Sequence, residues 1–136
     1  VVVLGGGLVG LEVAEFAAER GRTVTVLENG PTIGLPMALP RRWTSVRTAV
    51  AHGVTLRRNA EVRSVGTNDV MFTLDGTDRT VTADTVIIAG GVVPSAPLAT
   101  KLADAGIEVQ VIGDADQVGY IEGAVHSAWA AARSLV

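Results

Sequence analysis

Gly5, Gly7 and Gly10 stand in the spacing G-x-G-x-x-G, and each position has a use against a phosphorylated ligand. The first glycine makes a tight turn, the second lets the backbone approach a pyrophosphate, and the third lets a helix lie close to its strand. A helix opening at this point offers free N–H groups and the positive end of its dipole to an anion. Ala14, one turn on, is small enough to keep the same close approach. Glu28 follows about twenty residues later, as a dinucleotide fingerprint requires. A carboxylate there accepts hydrogen bonds from both ribose hydroxyls of an adenosine and repels a 2′-phosphate. The pattern predicts dinucleotide binding; the competing explanation is that the glycines merely pack helix on sheet.

Two further pairs end predicted strands. Gly90-Gly91 follows Val86–Ala89, at the strand end where ligands lie in open α/β sheets, and two bare backbone positions let a dinucleotide cross; a turn needing φ > 0 explains them equally well. Gly113-Asp114 follows Glu108–Ile112, and Asp114 there can accept a hydrogen bond from a polyol or ribose hydroxyl; capping of the following helix is the alternative. Arg41, Arg42, Arg47, Arg57, Arg58 and Arg63 are six of the eleven basic residues, opposed in that stretch only by Glu61. Arg41 or Arg42 would select NADPH by reaching a 2′-phosphate, whereas most of this cluster reads as a solvated face. The balance favours NADH. His52 and His126 have no partner at metal-ligand or triad spacing, and no G-x-S-x-G or H-E-x-x-H is present. No catalytic side chain and no metal ligand is therefore assigned.

The elements that must position these residues alternate along the chain. Val1–Leu4 is a short apolar run, as in a strand covered on both faces. Leu8–Arg20 has helical spacing and stops at Gly21, and Thr23–Leu27 is a second strand. Asn29–Pro40 reads as a loop, Arg41–His52 as a helix and Val54–Leu56 as a third strand. From Glu61 to Ala83 the period changes to two, with a turn at Asp75-Gly76, which predicts an antiparallel meander. Thr85–Ala89 is again a strand, Pro97–Ala105 a helix, Glu108–Ile112 a last strand and Ile121–Leu135 an Ala-rich helix. The fold class is α/β: a Rossmann-like parallel sheet with flanking helices and an antiparallel β-meander.

Composition narrows the class. The 136 residues suit about one domain. Apolar residues are 48% and charged residues 18%, with mean hydropathy +0.39, which excludes a disordered chain. No apolar run approaches the ~20 residues of a membrane helix. A net charge of −3 and scattered Trp43, Trp129 and Tyr120 argue against a nucleic-acid partner. With no cysteine, redox work must come from a cofactor. The opening VVVL, without an initiator Met or signal peptide, reads as a trimmed piece of a longer polypeptide, and a cytoplasmic location is expected.

VVVLGGGLVGLEVAEFAAERGRTVTVLE, then DTVIIAGGVVP, then VIGDADQVGYIEGAVHSAWAAARSL resembles the C-terminal two-dinucleotide-binding region of NADH:flavin oxidoreductases of the old yellow enzyme type. This group includes 2,4-dienoyl-CoA reductase, trimethylamine dehydrogenase and histamine dehydrogenase, within the pyridine-nucleotide-disulfide oxidoreductase superfamily. The resemblance covers essentially the whole chain. It implies that residues 1–94 are a nicotinamide-dinucleotide domain, with Gly5, Gly7, Gly10 and Glu28 in its fingerprint. It implies that residues 95–136 are the returning segment of a flavin domain, with Gly113-Asp114 as a flavin-contacting pair. The flavin domain's own glycine fingerprint is missing, so FAD finds a partial site, and Ser95 stands where the family often has Asn. The barrel with its FMN and iron–sulfur cluster is also missing, so this chain alone is expected to be inactive.

Two functions follow from the resemblance. In the first, NADH delivers reducing equivalents through flavin toward the barrel. In the second, as in the amine-dehydrogenase branch, an adenine nucleotide is bound by a non-catalytic scaffold. The expected partners are the dinucleotide and the remaining flavin and barrel domains. Deprived of its own sheet, the strand Glu108–Ile112 is expected to add beside Thr85–Ala89; exchange with a second copy in a swapped dimer is the alternative.

Overall fold

The computed structural model describes residues 1–135. The chain divides into two compact units, Val1–Gly91 and a second from Val92 onward.

In the first unit, β1 (Val2–Leu4), β2 (Thr25–Leu27), β3 (Thr55–Arg57) and β7 (Val86–Ile88) form a parallel sheet in the order β3-β2-β1-β7. Val3 lies opposite Val26 on one side and Ile87 on the other. Short apolar strands of this kind arise because both faces of the sheet are covered. Val3 and Val26 face α1 (Leu8–Glu19) and α2 (Leu39–Ala51), packing with Leu11, Ala14 and Ala49. Val2 and Leu27, pointing the opposite way, pack with Ala60, Val70, Phe72 and Ala83. That second layer is an antiparallel sheet of β4 (Ala60–Val65), β5 (Asp69–Leu74) and β6 (Thr77–Thr82).

The meander follows from its local sequence. Val62 opposes Phe72 and Val70 opposes Val81, so the period-two apolar residues form one face. Asp75 and Gly76 both have positive φ, 51° and 72°, as a two-residue hairpin turn requires. The second helix begins two residues before the sequence pattern suggests, because Pro40 occupies a first-turn position where its missing N–H costs nothing.

The second unit contains α3 (Pro97–Asp104), a 3₁₀ turn at Gly113–Ala115 and α4 (Tyr120–Ser134). The strand expected at Glu108–Ile112 is not formed, and the parallel sheet has four strands rather than five. A strand exists only through ladder hydrogen bonds to a neighbour, and a β-prone segment of five residues cannot supply these by itself. No helix among the described residues is long and apolar enough to cross a membrane.

Candidate functional site: a cavity at the carboxyl ends of the parallel strands

The parallel strands end together. The Gly5 N–H donates to the Leu27 carbonyl at 2.8 Å, that of Glu28 to Arg57 at 2.8 Å and that of Ala89 to Leu4 at 2.8 Å. The first glycine, the acidic residue and the Gly90-Gly91 pair are thereby brought to one rim, although they are far apart in sequence.

The glycines are required sterically. Gly5 has φ +103°, and a Cβ there would lie 2.7 Å from both N and Cα of Gly90. A Cβ on Gly10 would run into the Gly5 carbonyl oxygen, so helix and turn touch through bare backbone. Beside Gly7 the space is taken by the Leu35 carbonyl, 3.0 Å from where a Cβ would stand. That carbonyl also accepts the Leu8 N–H at 3.0 Å, so the loop after Glu28 folds back over the start of α1 and satisfies one of its free donors. Val9, exposed in the next position, makes no hydrogen bond through its N–H among the described residues.

Glu28 is held by two backbone amides. Its Oε2 accepts the Gly6 N–H at 2.7 Å and its Oε1 the Gly30 N–H at 2.7 Å. Such charge-assisted bonds are short and strong, and they fix the carboxylate plane. Each oxygen keeps a second acceptor site, which is what a vicinal ribose diol needs. Gly6 is essential to this arrangement: a Cβ would lie 2.9 Å from Cβ of Glu28 and 2.8 Å from Cδ1 of Ile33. Neither Gly6 nor Gly30 was singled out by the fingerprint spacing, although the unbroken Gly5-Gly6-Gly7 run and the turn-prone Asn29-Gly30-Pro31 were signals.

A cavity of about 430 Å³ is lined by Gly5, Glu28, Asn29, Gly90 and Gly91 at the strand ends and by Ala60, Glu61 and Val62 of the meander. Its volume lies in the range of small-molecule sites. Two carboxylates line it and no cation does; Glu61 is paired with Arg63 at 2.8 Å. The arginines considered for a 2′-phosphate lie elsewhere. Arg41 meets Glu12 of α1 at 3.4 Å, and Arg42 lines a different crevice with Trp43 and Arg58.

Gly113 and Asp114 belong to the second unit. The Gly113 N–H donates to Ser127 Oγ at 2.8 Å, with Gly113 at φ +65°. Asp114 Oδ1 accepts from Gly119 and Tyr120 at 2.9 and 3.0 Å, so it caps the start of α4. His126 is an exposed residue on α4, whereas His52 stands near Glu15 and Glu19, a meeting hidden by the sequence separation.

Comparison with known proteins gives the family. NADH oxidase of Thermoanaerobacter brockii is 36% identical over 129 residues, 93% of this chain and 20% of that protein. Rubredoxin-NAD(+) reductase of Pseudomonas putida is 39% identical over 107 residues, 76% of this chain and 28% of that protein. The structure of a 2-naphthoyl-CoA reductase in complex with 2-naphthoyl-CoA superposes with a TM-score of 0.83 at 28% identity, covering 94% of this chain and 20% of that one. The chain thus spans between a fifth and about three-tenths of the length of these relatives. With the family model for pyridine nucleotide-disulphide oxidoreductases matching residues 1–131, the chain belongs to that family.

Proposed function

We propose that residues 1–94 bind NADH and present it to a flavin held by other parts of a longer polypeptide, to which residues 95–136 contribute. One observation carries this reading: a carboxylate locked by two backbone amides stands at the rim of a cavity whose wall is the bare backbone of Gly5, Gly90 and Gly91. Bound NADH supplies a hydride, and the reducing equivalents pass on through flavin. The residues of this chain do the positioning. Glu28 takes the adenosine ribose diol on the unused acceptor sites of its two oxygens. The exposed N–H of Val9 at the N-terminus of α1 is left to receive the pyrophosphate, and Val62 offers apolar surface to the adenine ring. Preference for NADH over NADPH comes from Glu28, which would meet a 2′-phosphate with no cation in the cavity lining to offset it, whereas Glu61 is paired with Arg63.

Gly113 and Asp114 are assigned to the flavin side, with Asp114 using Oδ2 toward a polyol hydroxyl while Oδ1 caps α4. FMN and an iron–sulfur cluster belong to the remainder of such a protein. The old yellow enzyme-type group is the reading supported by the resemblance of three stretches in order along the chain, Val1–Glu28, Asp84–Pro94 and Val111–Leu135.

Equilibrium titration of the chain with NADH, NADPH, ADP and FAD, beside a Glu28→Ala variant, tests the reading. Hydrogen bonds to a charged group are worth about 1.5–3 kcal/mol, so NADH should bind about tenfold or more tighter than NADPH, with that margin lost in the variant. ADP binding as tightly as NADH would shift the conclusion to the scaffold function. Binding of neither would overturn both.

A further inference from the structure

Three metal-ligating side chains meet on the helix pair, outside the cofactor cavity. Glu15 and Glu19 are four residues apart on α1 and share one face. His52 is the C-cap of α2, its N–H donating to the Thr48 carbonyl at 3.0 Å. Its Nδ1 stands 3.8 Å from Glu15 Oε1 and 4.0 Å from Glu19 Oε1, and the three ligand atoms all lie within 4.8 Å of one another. We propose that Glu15, Glu19 and His52 bind a Zn²⁺ ion that clamps the end of α2 to α1.

The donor set fits this ion. Two carboxylates balance the charge of a divalent cation, and an imidazole nitrogen favours Zn²⁺ over Mg²⁺ or Ca²⁺, which take oxygen ligands. Zn–N and Zn–O bonds of about 2.0–2.2 Å in a tetrahedron place neighbouring donors roughly 3.4 Å apart. The observed 3.8 and 4.0 Å close by about half an ångström and the two carboxylates, within 4.8 Å of one another, by up to about 1.4 Å, which side-chain torsions can supply because all three groups are partly exposed. A water completes the fourth position.

The surrounding charges leave the site free. Arg20 approaches Glu19 through Oε2 at 3.9 Å, not Oε1. It is itself tied to the Phe16 carbonyl at 3.0 Å and lies 3.4 Å over the Phe16 ring. Glu12 is paired with Arg41. The competing arrangement is the contact of His52 with the same two glutamates without an ion.

Calorimetric titration of the full chain with ZnCl₂, and with MgCl₂ as control, tests the proposal in the wild type, His52→Ala and Glu15→Gln/Glu19→Gln. One equivalent of Zn²⁺ should bind, Mg²⁺ should not, and each variant should lose at least about tenfold in affinity. Co²⁺ in place of Zn²⁺ should give the visible absorption of a four-coordinate site in the wild type alone. Zn²⁺ should raise the melting temperature of the wild type by about 2–5 °C and of neither variant, with circular dichroism establishing that the variants fold. Equal Zn²⁺ affinity in His52→Ala would overturn the proposal. So would a wild-type melting temperature that Zn²⁺ leaves unchanged.

Discussion

The two units of this chain treat their apolar residues in opposite ways. In the first, Val2, Val3, Leu11, Val24, Val26, Leu27 and Val70 are wholly withdrawn from water between the parallel sheet and its two covering layers. In the second, no described residue is buried, and Ile121, Val125 and Trp129 remain 84%, 59% and 62% exposed. Their i, i+4, i+8 spacing makes one apolar stripe along α4. The first unit contains its own hydrophobic driving force, at about 1.5–3 kcal/mol for each large side chain fully buried. The second is held by local bonds: the Asp114 cap on α4, the Ser127 hydroxyl on Gly113 and the turns at the ends of α3. Isolated helices of 8 and 15 residues are marginal in water without a packed face. The lesson is that nucleotide-binding geometry resides where the core is, whereas the second unit needs a surface to pack against, in keeping with its proposed place in a flavin domain.

Four substitutions test that contrast. Leu11→Ala empties a fully buried site and should cost about 2–5 kcal/mol in denaturant unfolding. Gly5→Ala forces φ +103° on a side chain that meets Gly90; it should cost at least about 1–3 kcal/mol and abolish dinucleotide binding in the same titration used for Glu28→Ala. Asp114→Ala removes the cap of α4 and should cost about 1 kcal/mol of helix stability, read as loss of helical circular dichroism with NADH binding unchanged. Val125→Ala changes an exposed position and should stay within about 0.5 kcal/mol. If Val125→Ala proved as costly as Leu11→Ala, the two units would share one core and the contrast would fail.

Much of this was legible locally. The strand, glycine turn, helix and strand of the first thirty residues appeared where the spacing of Val1–Leu4, Gly5–Gly10 and Thr23–Leu27 put them, as did the hairpin at Asp75-Gly76. These features follow from steric and hydrogen-bonding preferences of neighbouring residues, which a sequence states outright. Glu28 at the end of β2 was legible for the same reason, but its clamp by Gly6 and Gly30 was not, because a fingerprint records spacing and not the direction of an N–H.

Other features were decided only when distant segments packed. The meander laid Ala60 and Val62 against the rim formed by Gly5 and Gly90, giving the cavity its wall. The packing of α2 on α1 brought His52 to Glu15 and Glu19, and it turned Arg41 toward Glu12, outside the cavity lining. The run Glu108–Ile112 has the composition of a strand yet formed none, since β structure is a property of a pair. The sequence by itself determined most of the elements and marked the candidate binding residues; the tertiary structure decided which of them share a surface, because such contacts depend on how layers pack and not on neighbouring residues.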